Sequence, residues 1–272
     1  MTGKEIRLGK LFSNGSPVII AADHGSYMGP FDGIKNLRKE IMSFKNADAF
    51  LVMPGMAKQC RDFFSLKSSP LCIIRLNWAS HYCKPHFHIY DRGYNEKICS
   101  VEYAVSLGAD IVIVSLLLGT DEVANTRNIT QFGELVSEAD KLGMPVIGEY
   151  IPMGGIDRYK GGLENLLLGT RACAELGADL IKTVYVEEFN QVTQSSVVPT
   201  LALGGGLTDK PAEAFDIAVE AMKKGAAGVV FGRNVICAKA PESYLSSLIE
   251  VVKHGMPSKE AEELYFKALE SK

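Results

Sequence analysis

Three observations predict an α/β chain of the (β/α)8 TIM-barrel class, one domain over residues 1–272 with a C-terminal helical extension. The first is that short β-branched runs alternate with longer helical patterns about eight times, the number a closed barrel requires. The second is a repeated junction: SLGAD before IVIV, ELGAD before LIKT and KKGAA before GVVF, with KLGMP before VIGE as a fourth variant. At each, a glycine closes a helix and a small residue leads into a strand buried on both faces. The third is that AADHGSYMGP, after the first run, lacks the GxGxxG spacing that a doubly wound open sheet would place there.

The elements follow in order. Strands are predicted at 17–22, 49–53, 71–76, 111–115, 146–150, 180–184, 200–203 and 228–231, each an apolar run closed by polar or glycine-rich residues. Helical patterns lie between them, and two more, at 244–254 and 258–270, close the barrel and form the extension. No linker rich in proline or serine divides the chain.

Composition narrows the function classes. With 29 basic and 32 acidic side chains the formal net charge is -3, which gives no bulk attraction to nucleic acid or to an anionic membrane. The start, MTGKEIRLGKLF, has no apolar run of signal-peptide type, and no stretch reaches the roughly 20 apolar residues of a membrane span. Six cysteines scattered without a CxxC pair read as reduced core thiols of a cytoplasmic protein.

In a barrel the reacting groups gather where strands end, so polar residues at those ends are the candidates. They are Asp23 and His24 after the first strand, Arg75 and Asn77 on and after the third, Glu149 on the fifth and Lys182 on the sixth. Lys182 sits in GADLIKTVY, where strand alternation sets it on one face with Leu180 and Val184. Burial there disfavours an ammonium, so a free amine able to attack a carbonyl is expected. The same alternation aligns Asp23 with Ile19 and Ala21, placing a carboxylate inside with the amine. Gly204, Gly205, Gly206, Gly232 and Arg233 follow the last two strands, the place where backbone amides and a guanidinium hold phosphate in such barrels. His81, Cys83, His86 and His88 cluster in SHYCKPHFHIYDRG but match no zinc spacing, and the interleaved Tyr82, Phe87 and Tyr90 suggest a packed lid or subunit contact. No metal and no cofactor is assigned.

Taken together, AADHG, LGADIVIVSLLLGT, KLGMPVIGEY, ELGADLIKTVYVE, ALGGG and AAGVVFGRNV resemble the archaeal-type class I fructose-bisphosphate aldolase family. That family includes 2-amino-3,7-dideoxyheptulosonate synthase and the thiolase acting on the phosphorylated autoinducer-2 breakdown product. The likeness runs from about residue 17 to 265. It implies Lys182 as the Schiff-base lysine, Asp23 as the family aspartate, the glycine runs as the phosphate site, and metal-independent lyase chemistry on a phosphorylated small molecule; His24 and Arg75, from their places at the strand ends, are expected to bind the substrate or its phosphate. It also implies a homo-oligomer, often a ring-shaped decamer.

Two motifs depart from the family. Ile151 and Met153 stand where many members have the tyrosine and arginine of YPRG, and Leu207 stands where many have a phosphate-binding lysine. Tyr150 is adjacent but faces the other way by alternation, so Glu149 or Asp23 is expected to act as acid and base. Two alternatives follow: an acyl transferase that uses the same lysine and passes a fragment to coenzyme A, and a catalytically silent sugar-phosphate binding barrel.

Overall fold

The computed structural model describes residues 2–79, 83, 93–119, 121–152 and 162–270. Ten strands occur among them: β1 (Val18–Ala21), β2 (Ala49–Val52), β3 (Leu71–Arg75), β4 (Asn77–Trp78), β5 (Glu96–Lys97), β6 (Ile111–Leu116), β7 (Val146–Tyr150), β8 (Leu180–Val184), β9 (Thr200–Leu203) and β10 (Gly228–Phe231). Eight close into a parallel barrel in the order β1-β10-β9-β8-β7-β6-β3-β2, and β4 and β5 form a separate antiparallel pair. The eight barrel strands are those expected from sequence, with ends shifted by one residue or none. The expected helices at 244–254 and 258–270 are present as Pro241–His254 and Ser258–Glu270.

Alternation divides the apolar residues into two layers. Ile19, Ala21, Ala49, Leu51, Ile73, Ile111, Ile113, Ile147, Leu180, Leu201 and Val230 fill the barrel, while the opposite faces pack on the helices. Val184, expected on the inner face, packs instead with the outer layer at the open end of β8. The N-terminal helix Thr2–Leu11 closes the barrel floor: Leu11 is buried against the inner cluster, with Leu8 and Phe12 beside it. Lys4 fastens this helix to Asp179 at 2.7 Å and to Asp140 at 2.5 Å.

The repeated GAD junction has a structural purpose. Asp179, just before β8, accepts the N–H of Val146 at the start of β7 at 2.8 Å. Asp110, before β6, accepts the N–H of Cys72 in β3 at 2.9 Å. Asp48, before β2, does the same for Val18 in β1 at 2.8 Å. Each carboxylate satisfies a buried donor at the edge of the neighbouring strand, where no ladder partner remains.

Register then builds the site. Ser115 pairs with Glu149 and Glu149 with Lys182 across β6, β7 and β8, so three polar side chains form one row on the inner face. Arg75 ends β3, paired with Ile113 of β6 one inward step below that row.

Candidate active site

At the C-terminal mouth of the barrel the inner side chains change from aliphatic to charged. Arg75, Asp23, Glu149, Lys182 and Ser115 are all at least 95% buried. The Arg75 guanidinium lies between the two acids, with Nε 2.5 Å from Asp23 Oδ2 and Nη1 2.9 Å from Glu149 Oε2. Nη1 also donates to the Ser115 hydroxyl at 2.5 Å, and that hydroxyl donates to Glu149. The other Glu149 oxygen accepts from Lys182 Nζ at 2.5 Å. Two cations thus face two anions, so four buried charges cancel where none could be carried alone.

The surroundings set the protonation states. Burial pushes Glu149 up, but the Arg75 and Lys182 charges and their hydrogen bonds more than reverse this, holding it well below the usual carboxylate range. Burial also raises Asp23, and Arg75, then His24 and Lys182, bring it below its ordinary value. Arg75, which burial opposes and both carboxylates support, stays a cation. His24 is pushed down to about 4, by burial first, with Asp23 opposing and Lys182, Arg233 and Arg75 adding to the depression.

A cavity of about 250 Å³ opens above this cluster. Lys182, Glu149, His24, Ile151, Gly204, Gly205, Gly232 and Arg233 are among its walls. A larger cavity, about 590 Å³, lies between the loops after β1 and β2, with Asp23 in its wall. In the smaller one the Lys182 amine, the Glu149 carboxylate and the glycine turns with Arg233 share one wall.

Sequence-expected residues fall into distinct positions around it. Arg75 and Asp23 are not in its wall; Asp23 lines the larger cavity instead. The Gly204 N–H is engaged by the Val230 carbonyl at 3.0 Å, so this residue contributes room and not a donor. Gly205 adopts φ +72°, a left-handed turn that glycine tolerates without strain. Gly206 turns to a neighbouring small cavity. Gly232 must lack a side chain, since a Cβ there would lie 2.5 Å from the His24 ring and 3.0 Å from the Ala21 carbonyl. Arg233 has a buried Nε without a partner and, among the described residues, no carboxylate within ion-pair distance. An anion would complete it.

Other expectations are redistributed. Asn77 is buried beside the site, exchanging hydrogen bonds with the Ser115 backbone at 2.8 Å in each direction. Tyr150 points outward, its hydroxyl donating to Asn165. Leu207 is largely exposed and lies outside the cavity. Of the histidine loop, Cys83 is buried, while His81, His86 and His88, like Met153 after β7, lie outside the described residues. Lys182 is ion-paired rather than free as expected, because β7 delivers Glu149 in register with it.

Two residues of the site were not anticipated. Ser115 shares the inward parity of Ile111 and Ile113. Asn234 clamps the glycine turn, donating to the Gly204 carbonyl at 3.1 Å and the Gly206 carbonyl at 2.9 Å and accepting from Thr208 N–H at 2.9 Å.

The depressed His24 has a measurable consequence for stability. Its folded value of about 4 lies below the unfolded 6.5, so on acidification the unfolded chain takes up the proton first. The contribution is fully present above pH 6.5 and is lost as pH falls toward 4, by roughly 3 kcal/mol from this group alone. Asp23, Tyr27, Arg75, Lys182 and Arg233 face the ring or share its field. Denaturant unfolding between pH 7 and 4 should show this loss in the wild type and a flatter profile in His24→Asn; identical slopes would refute it.

Comparison with known proteins agrees with this arrangement. Over residues 17–238 the chain matches the DeoC/LacD family aldolase description. An uncharacterized aldolase of Saccharolobus solfataricus is 33% identical, over 96% of this chain and 98% of its own length. The 2-amino-3,7-dideoxy-D-threo-hept-6-ulosonate synthase 1 of Archaeoglobus fulgidus is 30% identical, over 97% of this chain and 96% of its own. Among solved structures, an archaeal fructose 1,6-bisphosphate aldolase superposes with a TM-score of 0.78 at 24% identity, covering 93% of this chain and all of that one, which establishes the shared barrel. With residues 17–238 containing every side chain of the buried cluster, the chain belongs to the DeoC/LacD family of aldolases.

Proposed function

We propose that this protein is a class I aldolase that breaks or forms a carbon–carbon bond in a phosphorylated ketose through an imine on Lys182, without a metal. One observation carries the reading: the buried Lys182 amine and the Gly205, Gly232 and Arg233 anion position line the same cavity. An anchored phosphate fixes the carbonyl next to the amine, so binding energy remote from the reacting bond supplies orientation.

Glu149 is the group through which the lysine proton moves. As the amine becomes neutral its proton passes to Glu149, at 2.5 Å, the nitrogen bonds to the carbonyl carbon, and the carbonyl π pair moves to oxygen. A second proton passes from the nitrogen to that oxygen to give the carbinolamine, and Glu149 returns the first as the hydroxyl leaves as water, giving an iminium that accepts electrons from the bond to be cleaved. Arg75, itself paired with Asp23, holds Glu149 in place. Asn234 holds the phosphate turn, so Asn234→Ala should raise the KM for a phosphorylated ketone about tenfold with kcat changed less than about twofold. An unchanged KM would free the clamp from that role.

The test is chemical trapping. Incubation with dihydroxyacetone phosphate and borohydride should leave a stable adduct on the peptide carrying Lys182, identified by mass spectrometry, and none in Lys182→Ala. Absence of any adduct with phosphorylated ketones would leave only a sugar-phosphate binding barrel. Ile151, an apolar residue in the cavity wall, keeps the acyl-transfer alternative in view. There the same adduct forms, and product appears only when coenzyme A is supplied. A homo-oligomer and a cytoplasmic setting belong to the same reading; six free cysteines support the second. No helix among the described residues is long and apolar enough to cross a membrane.

A further inference from the structure

An imine alone does not break a carbon–carbon bond; a base must take the proton of the hydroxyl on the carbon that leaves. The two carboxylates are poorly placed for this. Both Glu149 oxygens are occupied, one by Lys182 and the other by Arg75 and Ser115. Asp23 gives Oδ2 to Arg75 and lies outside the cavity wall. Ile151 has no proton to exchange.

His24 differs from all of these. Its ring lines the cavity with Lys182, and among the described residues no hydrogen bond holds either ring nitrogen; Nδ1 is buried without a partner among them. The second Asp23 oxygen, Oδ1, faces Nδ1 at 3.7 Å. The ring is fixed against Gly232 on one side, where a Cβ would come within 3.1 Å of Nε2, and against Tyr27 with centroids 5.7 Å apart. A carboxylate behind Nδ1 selects the tautomer with the proton there and leaves the Nε2 lone pair for the cavity. Such contacts are commonly long before substrate binds and shorten in the reacting complex.

Building on the imine reading above, we infer that His24 is the catalytic base and acid of the carbon–carbon step, oriented by Asp23. In the iminium, Nε2 takes the hydroxyl proton from C4, and the O–H electron pair becomes the C4 carbonyl. The C3–C4 pair moves into a C2–C3 double bond, the C2–N π pair returns to nitrogen, and the aldehyde departs from a neutral enamine. The imidazolium, its charge met by Asp23, then gives its proton to C3, restoring the iminium for hydrolysis by water. Burial keeps the imidazole in its neutral, proton-accepting form near neutral pH.

The test uses the full chain with dihydroxyacetone phosphate in D2O, following exchange of the C3 protons by NMR alongside borohydride trapping on Lys182. In His24→Asn and His24→Gln the trapped adduct should stay within about twofold of wild type, while exchange falls at least roughly 10²-fold and added imidazole restores part of it. The surviving adduct shows that the site is folded. Exchange within about threefold of wild type in both variants overturns the assignment. Loss of the adduct together with exchange also overturns it, making His24 a group that holds the ligand. Absence of an adduct in the wild type itself instead overturns the imine reading on which the inference rests.

Discussion

Replacing Lys182 by arginine is expected to abolish imine formation and to lower turnover of a phosphorylated ketose by on the order of 10⁴–10⁶-fold, the scale seen when a covalent nucleophile is removed. The choice of arginine matters. A guanidinium keeps the positive charge opposite Glu149, so the two-plus-two balance of the cluster survives. What it removes is an amine that can become neutral and nucleophilic. If the lysine merely neutralised Glu149, arginine would substitute for it with modest loss. Lys182→Ala completes the comparison: it removes charge and nucleophile together, yet leaves Glu149 bound to Arg75 and Ser115. Its unfolding free energy should therefore fall less than its activity. Equal kcat/KM for Lys182→Arg and wild type, measured under the same substrate, would refute covalent catalysis at this residue.

The inner face of the barrel is legible in the sequence because strand alternation is strict. Ile147 and Ile19 in the same register as Glu149 and Asp23 are enough to turn those carboxylates inward, and Leu180 does so for Lys182. Ser115 is legible by the same parity, but a serine closing an apolar run carries no chemical signal by itself. The ion pairs are not legible. Arg75 reaches Asp23 from β3 past β2, a distance set by barrel tilt and by the length of a long side chain. Asn234 stands in a motif read for its glycine and arginine; its hydrogen bonds depend on the approach of two loops 26 to 30 residues apart. The floor helix escapes pattern reading for another reason. Three apolar residues, Leu8, Leu11 and Phe12, make a weak stripe, and it is the open barrel end that gives them something to cover. The aspartates of the GAD junctions are visible as a repetition, yet their purpose appears only when the adjacent strand brings its first N–H to them.

Arg75→Met should be the most destabilising change in the site, about 3–5 kcal/mol at pH 7 and a fall in Tm of about 10 °C. Methionine fills comparable space, so the loss is electrostatic rather than a cavity. Glu149 would keep Lys182 and Ser115, whereas the Asp23 carboxylate, 1% exposed, would lose the one side-chain partner that, among the described residues, lies closer than the 3.7 Å gap to His24. Its carboxyl would then rise toward protonation, because the largest influence lowering it is gone and burial remains. Acidification should accordingly narrow the difference between variant and wild type as pH falls through the new Asp23 value. Adding Asp23→Asn to Arg75→Met should recover part of the lost stability, since the orphaned charge is the main penalty; the coupling between the two substitutions reports their interaction directly. Strict additivity of the two losses, or an Arg75→Met variant within about 1 kcal/mol of wild type, would mean that the buried cluster is not held together by this guanidinium. Because the Lys182 ammonium pairs with a carboxylate that Arg75 also holds, the same variant should reduce the yield of the borohydride adduct, linking the stability of the charged row to the readiness of its amine.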